Sequence, residues 1–253
     1  MSIQIQFGVG NLVLTRTDIA NATPTKLGVI QDVEIDFDFT NKMLIGQLQF
    51  PVDVARGEGK ITGKAKIANL IARTLNDSFF GGTLGAGTGG TLYQNNEAHT
   101  VPAPSGPYTI TIAPPNSGVF LADQGVVYAA TGLPLVNVAS GPTVGQYSFV
   151  QSTGVYTFAA ADDTASILIS YTYTVTTGAS LVTVNNQLMG VSPVFSMLLA
   201  GLYKGNVFNL VLPAAISTKL SFPFKNTDYS ISDFEFSAYA NAAGNVANFT
   251  MSQ

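Results

Sequence analysis

Apolar and polar residues alternate with period two along most of this chain. Val33, Ile35, Phe37 and Phe39 alternate with Asp32, Glu34, Asp36 and Asp38, which predicts a strand with one dry face and one charged face. Met43–Phe50 follows the short connection Thr40-Asn41-Lys42, so the two runs read as a hairpin. Lys60–Ile67 alternates again. Lys60, Thr62, Lys64 and Lys66 fall on one side, with Ile61, Ala65 and Ile67 on the other. One helix is predicted over about 67–79, where Ile67, Leu70, Ile71, Leu75 and Phe79 keep the i, i+3, i+4 spacing. Late in the chain, Val207–Leu212, Lys219–Phe224, Asp233–Ala240 and Val246–Ser252 are short and strand-like.

The middle of the chain is also β in pattern. Tyr108–Ile112, Val126–Ala129, Gln146–Val150, Val155–Phe158 and Ile167–Val175 are separated by turn signals such as Pro114-Pro115-Asn116-Ser117-Gly118. Short strands at this spacing predict a small sandwich. The fold class is therefore all-β with one short helix: a sandwich or barrel carrying a second, inserted β-sandwich.

Charge locates the insert. Arg73 and Lys204 are consecutive basic residues, and only Asp77, Glu97, Asp123, Asp162 and Asp163 are charged between them. The flanks are nearly neutral and the middle is acidic. The run Gly81–Gly90 has linker composition and marks the entry, and the exit falls near Gly178–Gly190, which gives 1–82 and 183–253 for one discontinuous domain and 83–182 for the insert. Only 10% of residues are charged, against about 25% in an average soluble protein. So little self-repulsion suits a protein packed against copies of itself, and equally a sticky monomer. There is no Cys, hence no disulfide, thiolate nucleophile or zinc ribbon. Met1–Asn11 has no secretory pattern, and the apolar stretch Val191–Tyr203 is too short to span a bilayer as a helix. No membrane association is expected.

Catalytic chemistry finds little support. His99 is the sole histidine, it lies in the polar run Asn95–Thr100, and no G-x-S-x-G elbow accompanies it; it reads as an exposed loop residue. The glycine run lacks the Lys and hydroxyl that a phosphate loop needs. No catalytic residue, cofactor or metal site is expected. The acidic row Asp32, Glu34, Asp36, Asp38 stands out, because carboxylates at alternate strand positions lie about 7 Å apart and repel. Calcium is disfavoured, since a straight strand does not converge its ligands. The row Lys60, Lys64, Lys66 could answer it, within one subunit or between subunits in self-assembly, or the row is simply a solvated face. With a pI near 4.8, attraction of nucleic acid by charge is not expected.

Three segments, Thr25–Phe37, Gly46–Val52 and Gly59–Ile67, resemble the first half of phage major tail (tail tube) proteins, and Tyr203-Lys204-Gly205 through Asp233–Ala238 to Gly244-Asn245-Val246 resembles the second half. In the insert, Ser140–Tyr147, Gly154–Phe158 and Tyr171-Thr172-Tyr173 are similar to stretches common in phage virion proteins, including Ig-like domains. The resemblance covers most of the chain but rests on turns and alternating strands. It implies a non-enzymatic virion protein, assembled in the host cytoplasm, whose six-fold or pseudo-six-fold rings stack into a tail tube for genome ejection. Its implied partners are copies of itself, other tail proteins, and DNA as transiting cargo. An insert of this size has no room inside a DNA conduit, so it is expected to face outward on a non-contractile tail, with weak cell-surface glycan contact as one role. The alternatives are a capsid-decoration or fibre-like surface-binding module and a secreted carbohydrate-active protein; the absence of Trp counts against the last.

Overall fold

A computed structural model describes residues 7–69, 71–82, 84–86, 90–102 and 106–252. The chain is all-β with one short helix, and it divides into two compact units: Met1–Leu84 with Val182–Gln253, and Gly85–Leu181.

The first unit is one eight-stranded sheet. In chain order its strands are β1 (Asn11–Arg16), β2 (Thr25–Lys26), β3 (Ile30–Ile45) and β4 (Pro51–Ile67), with β14 (Phe195–Tyr203), β15 (Asn206–Ser221), β16 (Ser232–Ala238) and β17 (Asn248–Met251) after the second unit. Their spatial order is β2-β1-β14-β15-β16-β4-β3, with β17 also paired to β15. One face is dry: Leu12, Leu14, Ile61, Ala65, Ile67, Phe195, Met197, Leu210, Leu212, Phe234 and Phe236 form a buried cluster, with Val33 and Ile35 packed against it. Gly63 is required inside that cluster. A Cβ there would stand 2.1 Å from Phe236 Cζ.

The helix α1 runs from Ala72 to Phe80, its last turn (Asn76–Phe80) wider than the first. The predicted start at Ile67 is corrected: strand alternation persists through Ile67, which pairs with Ile30 and with Ser232. Leu70 lies outside the described residues. Phe79 meets Phe234 edge-on at 5.5 Å, laying the helix on the dry face. Gly81 ends it in the left-handed region (φ 61), its N–H donating to Asn76 O at 2.7 Å.

The hairpin also differs from its sequence reading. Thr40-Asn41-Lys42 does not turn; it continues β3, with a register shift between Phe39 and Asn41. The turn is Gly46–Phe50, and β3 pairs with β4 from Ile30↔Ile67 out to Ile45↔Pro51. The bulge breaks the period-two pattern where the sequence suggested a connection. After the insert, Val207–Leu212 and the first part of Lys219–Phe224 are a single strand, β15.

The second unit holds β5 (Gly85–Ala86), β6 (Gly90–Thr100), β7 (Thr109–Thr111), β8 (Val119–Tyr128), β9 (Val136–Asn137), β10 (Gln146–Val150), β11 (Val155–Phe158), β12 (Ser166–Val175) and β13 (Ser180–Leu181). A three-stranded sheet, β6-β12-β8, and a four-stranded one, β7-β11-β10-β9, bury a common core around Tyr147, Tyr156, Phe158, Ile167, Ile169 and Tyr171. The glycine-rich run is not wholly linker. Gly85 pairs with Leu181 and Ala86 with Ser180, and Gly90 opens β6; residues 83 and 87–89 lie outside the described residues.

Candidate self-assembly surface

The polar face of the first sheet is built by strand register. Asp32 pairs with Lys66, Glu34 with Lys64, Asp36 with Thr62 and Asp38 with Lys60 across β3 and β4. The acidic and basic rows singled out in the sequence therefore meet inside one chain. On the other side of β4, Lys66 pairs with Asp233 and Lys64 with Glu235, and Glu235 in turn pairs with Lys219 of β15. Charge alternates across four strands as Glu34, Lys64, Glu235, Lys219. Sequence reasoning missed Asp233, Glu235 and Lys219. The alternation Asp233-Phe234-Glu235-Phe236 carried the signal, but only the sheet order shows which row it joins.

This face contributes little to stability. Lys66 Nζ lies 3.8 Å from Asp32 Oδ2, with both side chains more than half exposed, and Lys219 Nζ lies 3.1 Å from Glu235 Oε1. Exposed pairs of this kind are worth about 0–1 kcal/mol each. A hollow of about 310 Å³ opens among Asp32, Glu34, Lys64, Lys66, Asp233 and Glu235, so this part of the face is open to solvent. Among the described residues, no group of three or more His, Asp or Glu is arranged to hold a metal ion.

The second feature is the arm. β16 pairs with β4 only from Ile61 to Ile67, so Pro51–Lys60 and the facing part of β3 run on as a two-stranded ribbon. Met43, Leu44, Ile45, Val52 and Val54 are exposed along it, and Leu48 and Phe50 in its turn are 79% and 80% exposed. Such ribbons are marginal in water, and open apolar edges invite pairing. At its base, Arg56 lies 4.0 Å over the Phe39 ring. Further apolar exposure occurs at Leu188, Met189, Phe224 and Tyr229.

The second unit uses its charges differently. It has no Lys or Arg, and three of its acids accept hydrogen bonds from tyrosine hydroxyls. Asp123 accepts from Tyr147 at 2.5 Å and Tyr156 at 2.8 Å, Asp162 accepts from Tyr128 at 2.6 Å, and Glu97 accepts from Tyr171. Burial first, then the adjoining carboxylate, pushes the Tyr128 hydroxyl up to about 12 and raises those of Tyr147, Tyr156 and Tyr171 as well. His99 is not the exposed loop residue its sequence context suggested. It lies on β6 opposite Ile167, half-buried, with Nε2 2.9 Å from Glu97 Oε1. A left-handed residue at Asn96 (φ 52) interrupts β6 and hides its period.

No protein-family model matches the chain, and no curated protein matches it.

Proposed function

We propose that the chain is a structural virion protein that polymerises, as stacked six-fold or pseudo-six-fold rings, into a phage tail tube, with no catalytic role. The observation that carries this reading is the arm. Asp38–Ile45 and Pro51–Lys60 extend beyond the sheet with open edges and, counting their turn, exposed Met43, Ile45, Leu48, Phe50, Val52 and Val54. A chain that remained alone would leave that surface wet, whereas a closed assembly covers edges and apolar side chains together. The low charge content adds little repulsion between copies. The tube form itself rests on the resemblance of Thr25–Phe37, Gly46–Val52 and Gly59–Ile67 to tail tube proteins. Electron microscopy of the purified chain at rising concentration tests it: rings or tubes are the expected result. A strict monomer at every concentration, with no ordered assemblies, overturns it.

A further inference from the structure

The charged sheet face is complementary to itself, and we infer that two copies of the free chain pair face to face through it. This follows from strand register alone. One row reads Glu34, Lys64, Glu235, Lys219 across β3, β4, β16 and β15, and the next reads Asp32, Lys66, Asp233, Ser221. A two-fold axis parallel to the strands, midway between β4 and β16, sets β3 against β15 of the second copy and β4 against its β16. The first row then meets its own reverse. Glu34 faces Lys219, Lys64 faces Glu235, and the two-fold repeats both pairs. In the second row Lys66 faces Asp233, again twice, while Asp32 faces the neutral Ser221. In the third, Asp36 falls against the uncharged Ile216 of β15, and Thr62 faces Ser237, its own cross-strand neighbour in the other copy. No like charges oppose one another in these rows. A face carrying one sign, or one whose rows read the same in both directions, could not do this.

The side chains are free to engage. Lys64, Lys66, Asp32 and Glu34 are exposed, and the hollows they line with Asp233 and Glu235 are open. The Lys66–Asp32 pair, at 3.8 Å, is loose enough to be exchanged, and the closer Lys219–Glu235 pair, at 3.1 Å, is exposed enough to be shared with Glu34 of the second copy. Sheets stacked in this way cross at roughly −30°, which the natural twist supplies. The contact is polar and hydrated, so salt weakens it: screening lengths fall from about 10 Å at 0.1 M to about 3 Å at 1 M.

Sedimentation velocity on the soluble full-length chain tests the inference. A dimer is expected at about 20 mM ionic strength, with dissociation weakened at least tenfold relative to about 0.5 M salt, where screening is strong. Lys64→Glu places like charges opposite Glu235 twice and is expected to give monomers at low salt. Lys219→Glu places like charges opposite Glu34 twice, and adding Glu34→Lys restores that opposition between copies; the two positions lie on strands that are not neighbours within a chain, so recovery of the dimer identifies the contact as intermolecular. The salt series on the unaltered chain still decides the matter if Lys64→Glu does not fold. A monomer at low salt overturns the inference, as does a dimer that persists at high salt, which an apolar contact such as the arm would give. A low-salt monomer that instead co-sediments with short duplex DNA also overturns it, in favour of a polyanion. The inference does not depend on the tube reading: tubes without the dimer, or the dimer without tubes, separate the two.

Discussion

Asp123 Oδ1 accepts the hydroxyl of Tyr156 at 2.8 Å, although Tyr156 is fully buried and its unit holds no Lys or Arg. The other oxygen takes Tyr147, and Gly125 N–H adds a third bond at 3.1 Å. Three donors replace the water this carboxylate loses, and no cation is needed. Asp123→Ala strands two buried hydroxyls. It is expected to destabilise the second unit by about 2–6 kcal/mol, counting roughly 1–3 for each unsatisfied group. Tyr156→Phe removes only one donor and should cost nearer 1 kcal/mol. Urea unfolding followed by tyrosine fluorescence checks both, and equal losses would argue against the network.

The same tyrosines set an alkaline limit. Unfolded tyrosine ionises near 10, whereas folded Tyr128 is pushed up to about 12 and Tyr147, Tyr156 and Tyr171 are also raised. The unfolded chain therefore releases protons first as pH rises, so stability is complete below pH 10 and falls between about 10 and 12. Thermal melts across that range, paired with ultraviolet titration of tyrosine, should show the last tyrosines to ionise doing so together with unfolding. Ionisation of every tyrosine near pH 10 in a still-folded protein would contradict the burial of these four.

Gly63 makes a sharper test of the first unit. A Cβ would stand 2.1 Å from the end of the buried Phe236 ring, which Phe195 and Phe234 leave little room to move. Gly63→Ala is expected to cost about 1–3 kcal/mol by overpacking. Gly132→Ala, at a site with no atom within 4 Å of the added Cβ, controls for general glycine effects, though its positive φ adds its own strain. A melting temperature unchanged in Gly63→Ala would show that the sheet can spread locally.

These sites show what periodicity alone discloses and what it hides. The faces of β3 and β4 were legible from Val33–Phe39 and Lys60–Ile67, because a half-buried sheet imposes strict alternation. Where a bulge intervened, at Phe39–Asn41 or at Asn96, the pattern broke and the reading broke with it. The charge rows were visible as rows. Their pairing was not, because strand order is set by contacts far apart in sequence, such as Lys64 with Glu235. The tyrosine–carboxylate bonds gave no local signal either, since Asp123 and Tyr156 are 33 residues apart.

The exposed arm predicts a separation of assembly from folding. Leu48 and Phe50 contact solvent in the isolated chain, so Leu48→Ser with Phe50→Ser should leave its melting temperature nearly unchanged, within the ±0.5 kcal/mol usual for surface changes. The same pair should abolish or greatly weaken self-association if the arm is a contact. Comparing sedimentation with calorimetry distinguishes the effects. Normal assembly by the double variant would remove the arm from the interface.

The second unit should be removable. Its chain enters and leaves through paired positions, Gly85 with Leu181 and Ala86 with Ser180, so the ends to be joined lie at neighbouring strands. Its core, around Tyr156, Ile167 and Tyr171, is a separate cluster from that of Phe195, Phe234 and Phe236. Replacing residues 83–182 by a short Gly/Ser linker shortens the closed loop, and closure entropy changes by only about 0.6 kcal/mol per doubling of length. The shortened chain is therefore expected to fold with a melting temperature within several degrees of the first unit's own transition. The excised unit should show the alkaline transition by itself. On the tube reading, the shortened chain also polymerises, because the arm and sheet edges lie in the retained residues. A shortened chain that fails to fold would mean that the first unit draws stability from the second, and the division at Leu84 and Val182 would then be structural only in appearance.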